Sequence, residues 1–237
     1  MTRFGILIIA FLPLAGCATP DGGDPRDPLE GFNRGVYRFN EVVDEAVARP
    51  VATAYRDVVH SEIRDRVRNF FSNIGDVFIG ANNLLQGKFF DGFEDFARVV
   101  FNTSFGLFGI HDVASDMGIE KHNEDFGQTF GRWGIGEGPY LVLPILGSSS
   151  VRDGVGTALD YYTDPLGELR PNRVRNSLVL LRLVGARADL LDASRILEQA
   201  ALDKYVFQRD AYFQRRRSLV YDGRAPRERY DDAPGNR

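Results

Sequence analysis

The chain has 237 residues, a formal net charge of −4 and 43% apolar residues. That length fits one domain, and the apolar content suffices for a core and is too high for a disordered chain. The mildly acidic balance argues against a nucleic-acid binder and against simple electrostatic adsorption to an anionic membrane. The single cysteine, Cys17, excludes a disulfide framework and a Cys-ligated zinc site within the chain.

Residues 1–16 read as a signal peptide. Arg3 supplies a short positive region, and Ile6 to Leu14 is an apolar run too short to span a membrane as a helix. The run ends in Leu14-Ala15-Gly16-Cys17, which resembles the bacterial lipobox, with cleavage between Gly16 and Cys17. That resemblance implies a diacylglycerol thioether and an N-acyl chain on Cys17, and no other cofactor. Several acyl chains, at about 0.8 kcal/mol per buried CH₂, anchor a protein almost permanently. Ala18 follows the cysteine where enteric lipoproteins retained in the inner membrane carry Asp. The expected address is the outer membrane, facing the periplasm. Residues 17–28 are small, polar and Pro-rich, and read as a lipidated flexible tether.

The helical period begins at Leu29. Phe32, Val36, Phe39, Val43 and Val47 form one stripe, with Asn33, Tyr37, Asn40 and Asp44 on another face. Pro50 predicts the end of this helix near Arg49. Helices are expected at about 63–85 and 89–101, with Gly75 and Gly80 as breaks or close contacts in the first. Recurrent glycines over 104–138 predict turns, densest at Gly131, Gly134, Gly136 and Gly138. Tyr140 to Leu146, with Pro144, reads as an edge strand or extended segment. Ser148 to Ser150 offer N-caps for a helix at about 151–160. A long helical region covers 172–219, with Asn172 as a candidate cap and Gly185 as a candidate break. Residues 223–237 read as a disordered tail. The apolar stripes fit either an ordinary core or helices lying in a membrane interface.

No Gly-x-Ser-x-Gly, His-Glu-x-x-His or phosphate-loop motif is present. His111-Asp112 with Ser104 or Ser115 would be a weak triad, and His60, His111 and His122 match no metal-ligand spacing. The carboxylates from Glu120 to Asp125 read as a solvated turn. The chain is therefore expected not to be an enzyme.

Several strings in order resemble the MlaA family, also called VacJ-like lipoproteins. They include Asp27-Pro28-Leu29-Glu30-Gly31-Phe32-Asn33-Arg34, Asn69-Phe70-Phe71-Ser72-Asn73 and Asn82-Asn83-Leu84-Leu85-Gln86-Gly87-Lys88. Glu124-Asp125-Phe126-Gly127-Gln128-Thr129, Gly136-Glu137-Gly138-Pro139-Tyr140 and Arg209-Asp210-Ala211-Tyr212 follow. The match covers roughly 27–222, and Ser148 to Ser150 depart from it. The resemblance implies an all-α domain over 29–222, its amphipathic helices in a ring-like, membrane-embedded arrangement with a Gly-rich irregular segment. It implies a lipoprotein in the inner leaflet of the outer membrane. Such a protein removes misplaced phospholipids from the outer leaflet, beside a trimeric porin, and passes them to a soluble periplasmic lipid carrier.

Two sets of site residues follow as expectations. Asn33, Asn40, Asn82 and Asn83 either line a headgroup path or serve as caps and core hydrogen bonds. Gly131, Trp133, Gly134, Gly136, Gly138 and Tyr140 form either a mobile gate or a tight turn. The competing functions are a tether to the cell wall, through Arg215-Arg216-Arg217, and a lipid hydrolase using His111.

Overall fold

The computed structural model describes residues 23–226. Gly16, Cys17 and the stretch 1–16 expected to be a signal peptide lie outside the described residues. The architecture is all-α with one small hairpin. Helices α1 (Glu30–Val43), α2 (Arg49–Val58), α3 (Ser61–Leu85) and α4 (Phe89–Ser104) come first. Short helices α5 (Val113–Asp116) and α6 (Phe126–Arg132) follow. Strands β1 (Tyr140–Leu143) and β2 (Gly147–Ser150) pair antiparallel, Tyr140 opposite Ser150. Helices α7 (Val151–Thr163), α8 (Asn172–Asp189), α9 (Leu191–Ala200) and α10 (Lys204–Val220) complete the chain.

The expected stop at Pro50 does not occur. A π-helical turn at Asp44–Ala48 joins α1 to α2, and Pro50 sits in the first turn of α2. There its missing N–H and fixed φ do least harm, and the wider turn accommodates the ring. Gly75 and Gly80 do not break α3. A Cβ on Gly80 would lie 3.2 Å from the Gly92 carbonyl, and one on Gly92 would lie 2.7 Å from Leu84 Cδ2. These two glycines let α3 and α4 approach closely. In the C-terminal half Ser150 caps α7, accepting from the Asp153 N–H. Pro171, not Asn172, is the N-cap of α8, and the chain breaks after Asp189 and again before Lys204, not at Gly185.

The distribution of polarity is inverted relative to a water-soluble bundle. Fully buried side chains include Arg98, Asn33, Asn82, Asn83, Asp27, Asp76 and Asp95. Phe90, Phe93, Val58 and Phe108 are exposed at 74%, 67%, 84% and 73%. On α1 the stripe through Phe32 and Phe39 faces outward while Asn33 is buried. The stripe residues are half-buried or exposed, and many of the helix contacts run through buried polar side chains. No helix among the described residues is long and apolar enough to cross a membrane.

Arg98 illustrates the internal bonding. Its Nη2 donates to both Asp112 oxygens at 2.8 and 2.9 Å, its Nη1 donates to the Ile119 carbonyl at 2.8 Å, and its Nε faces Asp76 at 3.3 Å. Lys121 also donates to Asp76. Burial opposes ionisation of Asp112, but hydrogen bonds from Ser115, Asn102 and Arg98 outweigh it and hold the carboxyl at about 2. Further along the chain, Arg216 donates to Asp125 at 2.6 and 2.9 Å and faces Asp153 at 2.7 Å, joining α10 to α6 and α7.

The stretch expected to be a tether is partly ordered. Asp27 is fully buried, accepts from Asn33 Nδ2 at 2.8 Å and from the Tyr205 hydroxyl, and faces Arg209. Asp24 pairs with Arg209 at 3.0 Å. Residues 24–27 therefore belong to the body, and 17–22 lie outside the described residues. The start of the expected tail also folds back, with Arg217 Nη2 donating to the Pro226 carbonyl at 2.5 Å. Residues 227–237 lie outside the described residues.

Asp160 on α7 tests the internal electrostatics. Burial, and then the charge of Asp125, push its carboxyl up to about 6 from 3.8. The folded form holds this proton more tightly than the unfolded chain, so the contribution is full below about pH 3.8 and is lost as pH rises through about 6. Asp160→Asn is expected to raise the melting temperature at pH 7.5 by roughly 2–4 °C, a gain that vanishes near pH 4 in thermal melts.

Candidate functional site

Asn33 and Asn40 lie two turns apart on one face of α1, along the free edge of β1. Asn33 donates to the Tyr140 carbonyl at 3.0 Å and accepts from the Val142 N–H at 2.9 Å. Asn40 donates to the Leu143 carbonyl at 2.9 Å and accepts from the Ile145 N–H at 2.7 Å. Each carboxamide acts as one residue of a neighbouring strand, so the helix satisfies an edge that would otherwise be open. The ring of Tyr140 packs with Val142, Tyr205 and Phe213, which makes this junction the largest apolar core of the described residues.

The other two asparagines fix α3. Asn82 accepts from the Thr129 hydroxyl at 2.6 Å and donates to the Phe78 carbonyl at 2.9 Å. Asn83 donates to Asp95 at 2.7 Å, and His122 Nδ1 lies 3.1 Å from the other Asp95 oxygen. Asn33, Asn82 and Asn83 are fully buried and hold parts of the chain together. Asn40 reaches a cavity.

That cavity, about 260 Å³, lies between α1, the hairpin turn and helices α8 to α10. Ion pairs of both signs wall it. Arg187 donates to both Asp44 oxygens at 2.6 and 2.7 Å, Arg49 pairs with Glu198 at 2.5 Å, and Lys204 pairs with Glu41 at 3.3 Å. The Arg187 hydrogen bond, with burial opposing it, holds the Asp44 carboxyl below its usual range. Val142, Ile145 and Leu197 add apolar wall. A cleft with paired charges and apolar patches suits a molecule with a charged head and apolar tails, because the head keeps polar partners as it leaves water.

Each residue of the glycine-rich segment has a defined local place. Gly134, at φ +88°, ends α6: its N–H bonds the Gly131 carbonyl at 3.0 Å, and the Ile135 N–H bonds that of Phe130 at 2.9 Å. This is the Schellman helix terminator, which needs the left-handed conformation that glycine supplies. Gly131 is a close-packing site, since a Cβ there would lie 2.8 Å from Val220 Cγ2. Tyr140 is core. Gly138 has φ +69°, with Val151 at 3.3 Å from a Cβ there, while Gly136 has open space around it. Trp133 is 55% exposed and donates from Nε1 to the Leu85 carbonyl at 3.0 Å.

Sequence patterning did not reveal a second outward feature. In the turn after α4, Leu107 and Phe108 adopt φ of 54° and 60°, which costs on the order of 1–3 kcal/mol each for residues with a Cβ. The Gly109 N–H to the Asn102 carbonyl at 2.8 Å and the His111 N–H to the Gly106 carbonyl at 2.9 Å lock the turn. It holds both apolar side chains out of the body.

Residues of the catalytic alternatives have other partners among the described residues. Asp112 is occupied by Arg98, Asn102 and Ser115, and among the described residues no hydrogen bond joins His111 to Ser104 or Ser115. The three histidines do not converge. His122 instead lies near Asp91 and Glu94, with ligand atoms within 4.8 Å of one another. Lys88 pairs with Glu124 at 2.9 Å and Arg216 with Asp125, so the carboxylates near 120–125 partly serve as internal partners. Arg216 is committed inside the body, which removes the centre of the arginine triplet from any wall contact.

Gly134→Ala tests the terminator. It is expected to lower stability by about 1–2 kcal/mol, from the left-handed penalty, with secondary structure content unchanged by circular dichroism.

Comparison with known proteins matches this architecture. The profile of the MlaA lipoprotein family fits residues 25–219. The chain is 37% identical over 229 residues to the intermembrane phospholipid transport system lipoprotein MlaA of Escherichia coli K12, covering 93% of this chain and 90% of that protein. The protein of the same name from Haemophilus influenzae is 31% identical over 226 residues, covering 92% and 90%. A solved structure described as the structural basis for maintenance of bacterial outer membrane lipid asymmetry aligns with a TM-score of 0.72 at 35% identity, covering 82% of this chain and 98% of that one. The chain belongs to the MlaA lipoprotein family.

Proposed function

We propose that the chain removes phospholipids misplaced in the outer leaflet of the outer membrane and feeds them into transport toward the inner membrane, preserving lipid asymmetry. The observation that carries this reading is the inverted polarity of the fold. Exposed Phe90, Phe93 and Phe108, with the locked Leu107-Phe108 turn, suit hydrocarbon, while the charge-walled cleft suits a headgroup. Lipids then pass as intact molecules, and no side chain needs to act as nucleophile or base.

In this reading acyl chains on Cys17 hold the protein in the inner leaflet, with the helices arranged as a ring. A trimeric porin beside it and a soluble periplasmic lipid carrier complete the route. The apolar faces help retain the protein at the interface, and the paired charges of the cleft exchange partners with the passing headgroup. Arg187 and Asp44 are the pair placed to do so, because their bidentate bond borders the cavity.

The test is labelling of intact cells with a membrane-impermeant amine reagent. Cells lacking the gene are expected to show a several-fold rise in surface-exposed aminophospholipid, restored by the native gene and not by Cys17→Ala. No rise would contradict lipid removal. A rise restored equally by Cys17→Ala would contradict the acyl anchor.

A further inference from the structure

A second cavity, about 250 Å³, lies between α2, α3 and α8, lined by a set of residues distinct from those of the cleft described above. Its polar lining is mainly cationic: Arg64, Arg68 and Arg182 against the single carboxylate of Asp189. Arg182 is matched by Asp164 at 2.5 Å, and Arg68 by Asp65 at 2.7 Å. Arg64 has no ion pair among the described residues. Its Nε and the hydroxyl of Tyr55 are buried without a hydrogen-bond partner, and both residues line this cavity. Unsatisfied buried donors are uncommon and costly, and here two of them border one space.

The same cavity has an apolar approach. Ile63, Val67 and Phe71 follow one another at helical spacing along α3; Ile63 is 52% exposed, while Val67 and Phe71 line the cavity. Val58, at the end of α2, is also exposed. A ligand with an anionic group and apolar chains matches this layout: the guanidinium groups take the anion and the stripe takes the chains. Arg is the side chain best suited to phosphate oxygens, through its planar fork of donors.

We propose that the α2–α3–α8 cavity is a binding subsite for the phosphate of a phospholipid headgroup, with Arg64 as its principal cation and the Tyr55 hydroxyl as a second donor after a small side-chain rotation. This rests on the chain handling phospholipids, and adds a place where the lipid is held outside the charge-walled cleft. The volume fits a headgroup, with the acyl chains outside along Ile63 and Val58.

The experiment uses the full lipidated chain in neutral detergent, titrated calorimetrically with dihexanoyl phosphatidylglycerol below its micellar concentration. Parallel titrations use inorganic phosphate and dihexanoylglycerol. Saturable binding of the phospholipid is expected, with inorganic phosphate at least tenfold weaker and dihexanoylglycerol not bound. Arg64→Gln should weaken phospholipid binding at least tenfold and Tyr55→Phe about threefold. Arg64→Lys should recover part of the loss, and all three variants should keep the native melting temperature. Inorganic phosphate binding as tightly as the phospholipid would overturn the lipid assignment in favour of a free-anion site. No saturable binding, or equal affinity in Arg64→Gln, would overturn the site. Lipid removal measured in cells is a separate readout, so failure of this subsite is distinguishable from failure of the transport reading.

Discussion

The helices of this protein are joined through buried charges and carboxamides. Fully buried Arg98 is held by Asp112, Asp76 and the Ile119 carbonyl, and the buried amides of Asn33, Asn82 and Asn83 each bridge two parts of the chain. Removing one partner of such a group leaves the other desolvated and unpaired, at a cost of several kcal/mol for charged groups. Buried polar contacts of this kind occupy much of the interior, and apolar side chains are correspondingly displaced toward the outside. The outward Phe, Val and Leu residues follow from that choice.

This inversion links fold to function. An ordinary bundle would hide its stripes and face water. Here a polar interior leaves apolar faces for hydrocarbon and places a cleft with charges of both signs among them. A phospholipid needs the same two environments, one for each end of the molecule. The N-terminal described residues take part: Asp24 and Asp27 lock onto Arg209 and Tyr205 of α10 and fix this end of the described chain to the body.

Much of the helical order was legible in the sequence because amphipathic period survives inversion: a stripe at 3.6 residues marks a helix whichever way it faces. The direction of facing was not legible, and Phe32 and Phe93 could have been core. Nor was the continuity through Pro50, which depends on a π-turn with no strong local signal. The asparagines stood out as polar residues on apolar helices, but their role depends on β1 and on Thr129 and Asp95, contacts distant along the chain. Their seven-residue spacing at 33 and 40 was the one available hint of a shared partner. The glycine-rich segment was ambiguous for a different reason. Glycine density signals special backbone, and a helix terminator at Gly134 and a close-packed Gly131 produce the same density as a hinge.

The claim on which the account depends is that the outward apolar faces contact acyl chains. It is tested most directly by spin labels at Phe93→Cys and Asp65→Cys in the lipidated protein, reconstituted in phospholipid vesicles, with collision rates measured against oxygen and a water-soluble nickel chelate. The account predicts that the label at 93 favours oxygen, as in hydrocarbon, while the label at 65 collides with the chelate. Free access of the chelate to position 93 would contradict it, because the inverted surface would then face water.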